Sequence, residues 1–564
     1  MNDDLAGAVR APDNSSQEKA MSTNGKHWWR GGLFYQVYPR SFQDSNDDGI
    51  GDLPGLISRL DYIAGLGVDA IWVSPFFKSP MMDFGYDVAD SRDVDPIFGN
   101  LDDFDELLGQ AHRRNLKIVI DQIPSHTSNE HPWFVESRKS RDNPKSDWYV
   151  WADPCDDGTP PNNWLSIFGG SAWQWEPRRQ QYYLHNFLAS QPDLNFHQPD
   201  VVDAVLDNLR FWLDRGVDGF RLDAINFCYQ DKQLRDNPAK PADLRTGRGF
   251  SPDNPYAYQF HYYNNTQPEN IEFIERIRQL LDQYPGVTSL GEISSEDSVA
   301  TMAEYVAPGR LHMSYSFELL TEDFSASYIR STVERLEADL AEGWACWAIS
   351  NHDVERVISR WGRHGQSDDF ALMLTAMLCS LRGSACIYQG EELGLPEADL
   401  PYEELQDPYG LAFWPDFKGR DGCRTPMPWD SSPGAGFSAA KPWLPIPESH
   451  RRLAVESQQS DTNSTLNRFR ELIAWRQSQP ALRMGDIRFV DTPEPVLMFM
   501  RQCREQQLLL VFNLSDQPAR AELPNNIGPH TRLKWPGLAA GQLSDDGFIH
   551  LPAHAAIILD TTSP

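Results

Sequence analysis

Four acids stand where an apolar run ends. Asp121 closes KIVID, Asp223 closes GFRLD, Glu292 closes SLGE, and Asp353 follows AISNH. Burying a carboxylate without a partner is costly, so packing gives no reason for an acid at these places. A single case reads equally well as a structural ion pair, but four at equivalent places point to a shared pocket. Two or three carboxyls around one pocket suit cleavage of a glycosidic bond. An ionised one attacks the anomeric carbon, and a second, kept protonated by its surroundings, donates to the leaving oxygen. Asp223 and Glu292, on consecutive strands, are the natural pair, and retention requires them about 5–5.5 Å apart. Arg221 precedes Asp223 by two residues, on the same side of an extended strand. It is expected to keep that carboxyl ionised and lower its pKa.

The elements that position these acids alternate. Strand-like runs are GLFYQVYP (32–39), AIWVSP (70–75), KIVIDQIP (117–124), GFRLDAI (219–225) and TSLGEI (288–293), then LHMSYSFELL (311–320), WACWAISNHD (344–353) and GSACIYQGEEL (383–393). Amphipathic helical segments lie between them, among them 53–67, 101–115, 200–216 and 269–285. Eight strands with intervening helices predict an α/β fold, a (β/α)8 TIM barrel, with an open doubly wound sheet as the alternative. Residues 126–195, rich in Trp, Pro, Asn and Tyr, show no helical period and read as a subdomain inserted after strand three. The barrel then spans 27–125 and 196–485, and runs such as VLMFMRQC and QLLLVFNLS predict a C-terminal all-β sandwich over 486–564.

With 50 basic and 81 acidic side chains, the formal charge is −31. A field of that sign repels nucleic acid and anionic membranes, so neither is an expected partner. No apolar run approaches the roughly 20 residues of a bilayer span, and MNDDLAGAVRAPDNSSQEKA lacks the apolar core of a secretory signal. Seven scattered cysteines with no CxxC pair read as reduced thiols, so a cytoplasmic location is expected. Residues 1–26 are polar and expected to be disordered, with Met21 an alternative start.

DQIPSH, GFRLDAINF, GEI and NHD, in this order and spacing, closely resemble the four conserved regions of the α-amylase superfamily, glycoside hydrolase family 13. QPDLN (191–195) matches its further short motif, and the likeness runs over nearly the whole chain. The resemblance implies Asp223 as nucleophile, Glu292 as general acid/base, and Asp353 as the carboxylate that grips the sugar 2- and 3-hydroxyls. It implies His126 and His352 as hydrogen-bonding partners of the bound glucose, and Arg424 as the arginine closing over it. Asp83 and Tyr86 in DFGYDV look like the pair that makes the pocket blind-ended, with Phe168 and Phe187 as its walls. The WWRGG…YQVYPRSF start and DFGYDV resemble α-glucosidases and oligo-1,6-glucosidases, which release one glucose from a non-reducing end. Ala224, where 1,6-specific members carry Val, resembles the α-1,4-acting side. The implied partner is a short oligosaccharide or glucoside, with transglucosylation as a side activity and the loop from Cys228 to about Gln267 as one wall of the aglycone subsite. Sucrose hydrolase, sucrose isomerase and trehalose synthase are alternatives on the same scaffold. The rival from another class is a catalytically dead, transporter-partnering relative, which predicts a membrane span and lost carboxylates, whereas Asp223, Glu292 and Asp353 are all present.

QDSNDDGIGDLPG (43–55) has the first nine positions of an EF-hand loop. An EF-hand needs a helix before it and Glu at position twelve; here a strand precedes and position twelve is Gly55. The family resemblance instead implies a structural divalent cation, Ca²⁺ or Mg²⁺, on Asp44, Asn46, Asp48, the Ile50 carbonyl and Asp52. No organic cofactor is expected, and the sequence leaves the oligomeric state open.

Overall fold

The computed structural model describes residues 27–245, 254–340, 342–362, 367–525, 527–528 and 530–562. The expected disordered tail 1–26, Met21, and part of the 228–267 loop lie outside the described residues.

Eight parallel strands form one sheet: β1 (Leu33–Val37), β2 (Ala70–Val73), β3 (Lys117–Gln122), β4 (Gly219–Leu222), β5 (Thr288–Ile293), β6 (Met313–Ser316), β7 (Cys346–Ala348) and β8 (Ser384–Tyr388). They run β6-β5-β4-β3-β2-β1-β8-β7, and a parallel bridge from Ser314 to Ala345 brings the two outer strands together into a barrel. Strand parity assigns the two faces, because successive side chains alternate. Phe34, Trp72, Val119, Leu290 and Met313 fill the barrel interior. Their neighbours Tyr35, Ile71, Ile118, Ile120, Phe220 and Leu222 pack outward against the helices. Continuing that parity by two residues turns Asp121, Arg221, Asp223 and Glu292 inward. The paired register sets Asp121 beside Arg221 and Glu292 beside Tyr315.

Helices between the strands carry their own stop and start signals. Asn100 forms a capping box with Asp103 at the start of helix Leu101–Arg113. Gly216, left-handed at φ 97°, ends helix Pro199–Arg215. The segment 53–67, read from sequence as one helix, is two: Leu53–Ser58 and Leu60–Gly65. Arg59 breaks it with non-helical backbone, where its guanidinium covers the Trp429 ring at 4.1 Å and donates to Gln43. The inserted segment holds a short helix, Pro132–Ser137, and a three-stranded antiparallel sheet of Trp151–Ala152, Gln181–Leu184 and Trp173–Glu176. After helix Thr465–Gln477, a five-stranded and a three-stranded sheet enclose a separate core that includes Met498, Val511, Ile549 and Leu559.

Candidate active site

A cavity of about 110 Å³ opens at the carboxyl ends of the barrel strands. Asp223, Glu292 and Asp353 line it, together with Asp83, Tyr86, His126, Phe168 and Phe187. The strand end at β4 is sharply turned. Asp223 donates its N–H to the Gln122 carbonyl at 2.8 Å, and Ala224 takes a left-handed backbone, φ 42°. That turn aims the Ala224 N–H at Glu292 Oε2, 3.1 Å away. A non-glycine residue in this region costs roughly 1–2 kcal/mol, a strain typical of functional sites.

Arg221 lies under the pocket, not in its wall, and has no exposed surface. Its Nη1 donates to Asp121 and to Asp223, each at 2.6 Å, and its Nη2 faces Glu292 at 2.5 Å. One guanidinium therefore serves three carboxyls, which corrects the expected lowering of the Asp223 pKa. Burial, together with the charges of Glu292, Asp121 and Asp353, outweighs Arg221 and pushes the Asp223 carboxyl well above its usual range. Asp121 is raised for the same first reason; it is held from below by the Trp72 indole N–H at 3.0 Å and the Tyr86 hydroxyl at 3.2 Å. Glu292 also accepts from the Tyr315 hydroxyl at 2.8 Å.

The blind end is built around an arginine that the sequence reading passed over. Arg420 lines the cavity. Its Nη1 donates to Asp353 at 3.1 Å and its Nη2 to Asp83 at 2.8 Å, while the ring of Phe168 lies 5.1 Å away. Asp407, wholly buried, holds the other side of the guanidinium through Nη2 at 2.8 Å and Nε at 3.1 Å. Arg424, the residue expected here, is not in the wall. It is fully buried behind Asp353, with Nε on the His352 carbonyl at 2.7 Å and Nη2 on Asp353 at 3.2 Å. The two arginines lie four residues apart around helix Asp421–Arg424, so only the packing decides which one reaches the cavity. Gln191, the first residue of QPDLN, was also unassigned; its Nε2 donates to Asp83 at 3.1 Å. Phe227, the last residue of GFRLDAINF, adds to the apolar wall, as do Phe317 and Tyr409, which no motif marked.

His352 likewise lies beneath the wall. Its Nδ1 meets the Gln36 amide at 2.8 Å, and its Nε2 meets the Tyr86 hydroxyl at 2.5 Å and Asp353 at 3.2 Å. Burial pushes His126 down to about 4 and His352 to about 3, so both imidazoles are uncharged near neutral pH. Burial opposes charge on Asp353 too, but His352, Arg420, Arg424 and Arg221 reverse the balance and hold it below the usual carboxylate range. Of these the guanidiniums carry the effect at neutral pH, since His352 is itself neutral there. Asp353 is thus kept ionised beside the Asp223 carboxyl.

The Asp44–Asp52 loop is organised by its own backbone. Asp44 Oδ1 accepts from Asn46 and Asp47 N–H at 3.0 and 2.8 Å, and Oδ2 from Gly49 at 2.8 Å. Asn46 and Asp48 accept from Asp48 and Ile50 N–H. Asp52 is committed to capping helix Leu53–Ser58 through Gly55 and to both Ser45 donors. Among the described residues no three acidic, histidine or cysteine side chains are grouped to hold a metal ion. The expected set, Asp44, Asn46, Asp48, the Ile50 carbonyl and Asp52, offers oxygen donors of the class that hard cations take.

The family model described as alpha amylase, catalytic domain, matches residues 36–485. The chain belongs to this family, glycoside hydrolase family 13. It is 56% identical over 503 residues to a probable alpha-glucosidase of Rhizobium meliloti (strain 1021), covering 88% of this chain and 91% of the relative. An oligo-1,6-glucosidase of Parageobacillus thermoglucosidasius is 36% identical, with 89% and 92% covered. A crystal structure of the alpha-glucosyl transfer enzyme XgtA superimposes with TM-score 0.93 at 66% identity, covering 94% of this chain and 99% of that one. The family-13 chain described here is a glycoside hydrolase with an eight-stranded barrel and a C-terminal β region. No helix among its described residues is long and apolar enough to cross a membrane.

Proposed function

We propose that this glycoside hydrolase is an exo-acting, retaining α-glucosidase. It releases terminal non-reducing glucose, α-1,4-linked by preference, through a covalent β-glucosyl intermediate on Asp223. The single observation that carries this is the shape of the charge in the pocket. Asp83, Arg420 and Asp353 close one end with paired charges, while Asp223 and Glu292 flank the open part on the two terminal nitrogens of one guanidinium. Sharing one guanidinium supports the close spacing, about 5–5.5 Å, that a retaining pair uses. Asp223, ionised on Arg221 Nη1, attacks the anomeric carbon as Glu292 gives its proton to the leaving oxygen; water then displaces Asp223 from that carbon while giving its proton to Glu292. Ala224 supports the α-1,4 preference, since its smaller side chain on the cavity wall leaves a different shape from the Val of 1,6-specific members. Glucose release from maltose, isomaltose, sucrose and trehalose, with NMR of the first-formed anomer, tests the proposal. Maltose as the best substrate and α-glucose as first product are expected; β-glucose first would exclude retention.

Transfer of the glucosyl group to a sugar or alcohol is the second reading, favoured by the 66% identity to a glucosyl transfer enzyme. The ratio of transfer product to free glucose at rising acceptor concentration measures it. The oxygen-rich Asp44–Asp52 loop is proposed to take Ca²⁺ or Mg²⁺ in a structural role. Seven free cysteines support a reducing, cytoplasmic setting.

A further inference from the structure

An uncharged amide faces inward near the end of β1. Strand parity places Gln36 two residues beyond inward Phe34, and it has no exposed surface. Its Nε2 reaches Ser74 Oγ at 3.2 Å and His352 Nδ1 at 2.8 Å. Its Oε1 is buried with no hydrogen-bond partner among the described residues. A buried polar atom left unpaired calls for a physical reason.

The reason lies across the imidazole. His352 stacks on Tyr86 at 5.2 Å with the planes 5° apart, and lies 5.8 Å from the Tyr38 ring. The ring is uncharged near neutral pH, so one nitrogen carries the hydrogen and the other accepts. Asp353 Oδ2 lies 3.2 Å from Nε2, and Asp353 is ionised. A lone pair on Nε2 would face that charge, so the hydrogen belongs on Nε2 and Nδ1 must accept. Among the described residues, Gln36 is the group that meets Nδ1. Its NH2 is the end that fits there, and Oε1 goes unpaired as a consequence.

Turning the amide over would reverse the arrangement. An oxygen against Nδ1 would draw the hydrogen to that nitrogen, and Nε2 would become the acceptor. The Tyr86 hydroxyl, 2.5 Å from Nε2, would then donate to the ring and give up Asp121, to which it donates at 3.2 Å. Asp121 shares Arg221 Nη1 with Asp223, so the change would reach the cation that holds Asp223.

We propose that Gln36 is a positioning residue for the hydrolytic site: its amide N–H fixes the His352 hydrogen on Nε2, which directs the Tyr86 hydroxyl to Asp121 and leaves no lone pair facing Asp353. The effect on rate rests on the proposed glucosidase activity; the proton position does not.

The test uses protein isotopically labelled in its histidine nitrogens. Two-bond proton–nitrogen NMR shows which nitrogen of each ring carries a hydrogen, and His352→Asn identifies the His352 signals by their loss. Nε2 protonated and Nδ1 bare are expected in wild type near neutral pH. Gln36→Met keeps the length and removes the donor. It should lower kcat/KM on an aryl α-glucoside about tenfold. His352 should also gain its second proton at a higher pH, since no N–H then opposes one on Nδ1. A hydrogen on Nδ1 in wild type overturns the inference, and that measurement needs no variant to fold. A Gln36→Met enzyme within about twofold of wild type, or one that loses rate while its His352 signals stay unmoved, also overturns it. Wild-type protein with Nε2 protonated that releases no glucose from any α-glucoside overturns the proposed function while bearing out the proton position.

Discussion

Replacing Arg420 by lysine probes the blind end. The guanidinium donates to Asp353 at 3.1 Å, to Asp83 at 2.8 Å, and to Asp407 at 2.8 and 3.1 Å. Lysine keeps the charge but offers one compact ammonium on a flexible stem, without the planar fork that spans three carboxylates. Asp407 is the fully buried partner and the strongest claimant for a single ammonium, which leaves Asp83 and Asp353 unheld. A hydrogen bond to a charged group contributes about 1.5–3 kcal/mol, so losing two at the lower figure removes about 3 kcal/mol. At about 1.4 kcal/mol per factor of ten, kcat/KM should fall roughly 150-fold. The assay is initial glucose release over a range of maltose concentrations, run well below the unfolding midpoint measured on the same sample. A folded Arg420→Lys variant within about threefold of wild type would refute the reading that Arg420 holds Asp83 and Asp353 in place for the substrate.

Asp223→Asn should leave the fold intact and lower hydrolysis of an aryl α-glucoside by about 10⁴-fold or more, and near-normal turnover would remove the nucleophile assignment. Glu292→Gln should lose most activity on poor leaving groups and little on acidic phenols that need no proton; equal losses across that series would count against its role as acid. Burial raises the Asp193 carboxyl to about 7 although Asn186 donates to it twice at 2.8 Å. The fold then holds a proton that the unfolded chain, with pKa about 3.9, has lost, so stability falls as pH rises from about 4 to 7 and levels off above. The Tm advantage of Asp193→Asn should therefore grow between pH 5 and 7, and a pH-independent difference would contradict it. A cation on the Asp44–Asp52 loop predicts that EDTA lowers Tm and calcium or magnesium restores it; no change, with no copurifying metal, rules it out.

The inward acids were legible because strand parity is local. Asp121 lies two residues after inward Val119, and Glu292 two after inward Leu290, and a period of two survives any barrel closure. Asp353 follows β7 by several residues, so parity does not reach it; its place after the apolar run AISNH and the NHD motif marked it. Arg420 and Asp407 carried no readable signal. Each lies in a loop, and its partner is decided by which distant segment folds against it. Arg420 meets Asp83 across 337 residues. The same limit explains the Arg424 error, since neighbours on one helical turn differ in sequence by nothing that predicts which faces the cavity.

The sequence by itself determined the eight alternating strands and the carboxylates at their ends, because those follow from hydrophobic periodicity and local position; closure into a barrel rather than an open sheet was settled in space. Only the tertiary structure decided which cation serves which acid. Arg221 is shared among Asp121, Asp223 and Glu292, so burial prevails at Asp223. Two guanidiniums converge on Asp353 and keep it ionised. Charge state in a buried site depends on the number and distance of neighbours in space, and a linear chain does not record them.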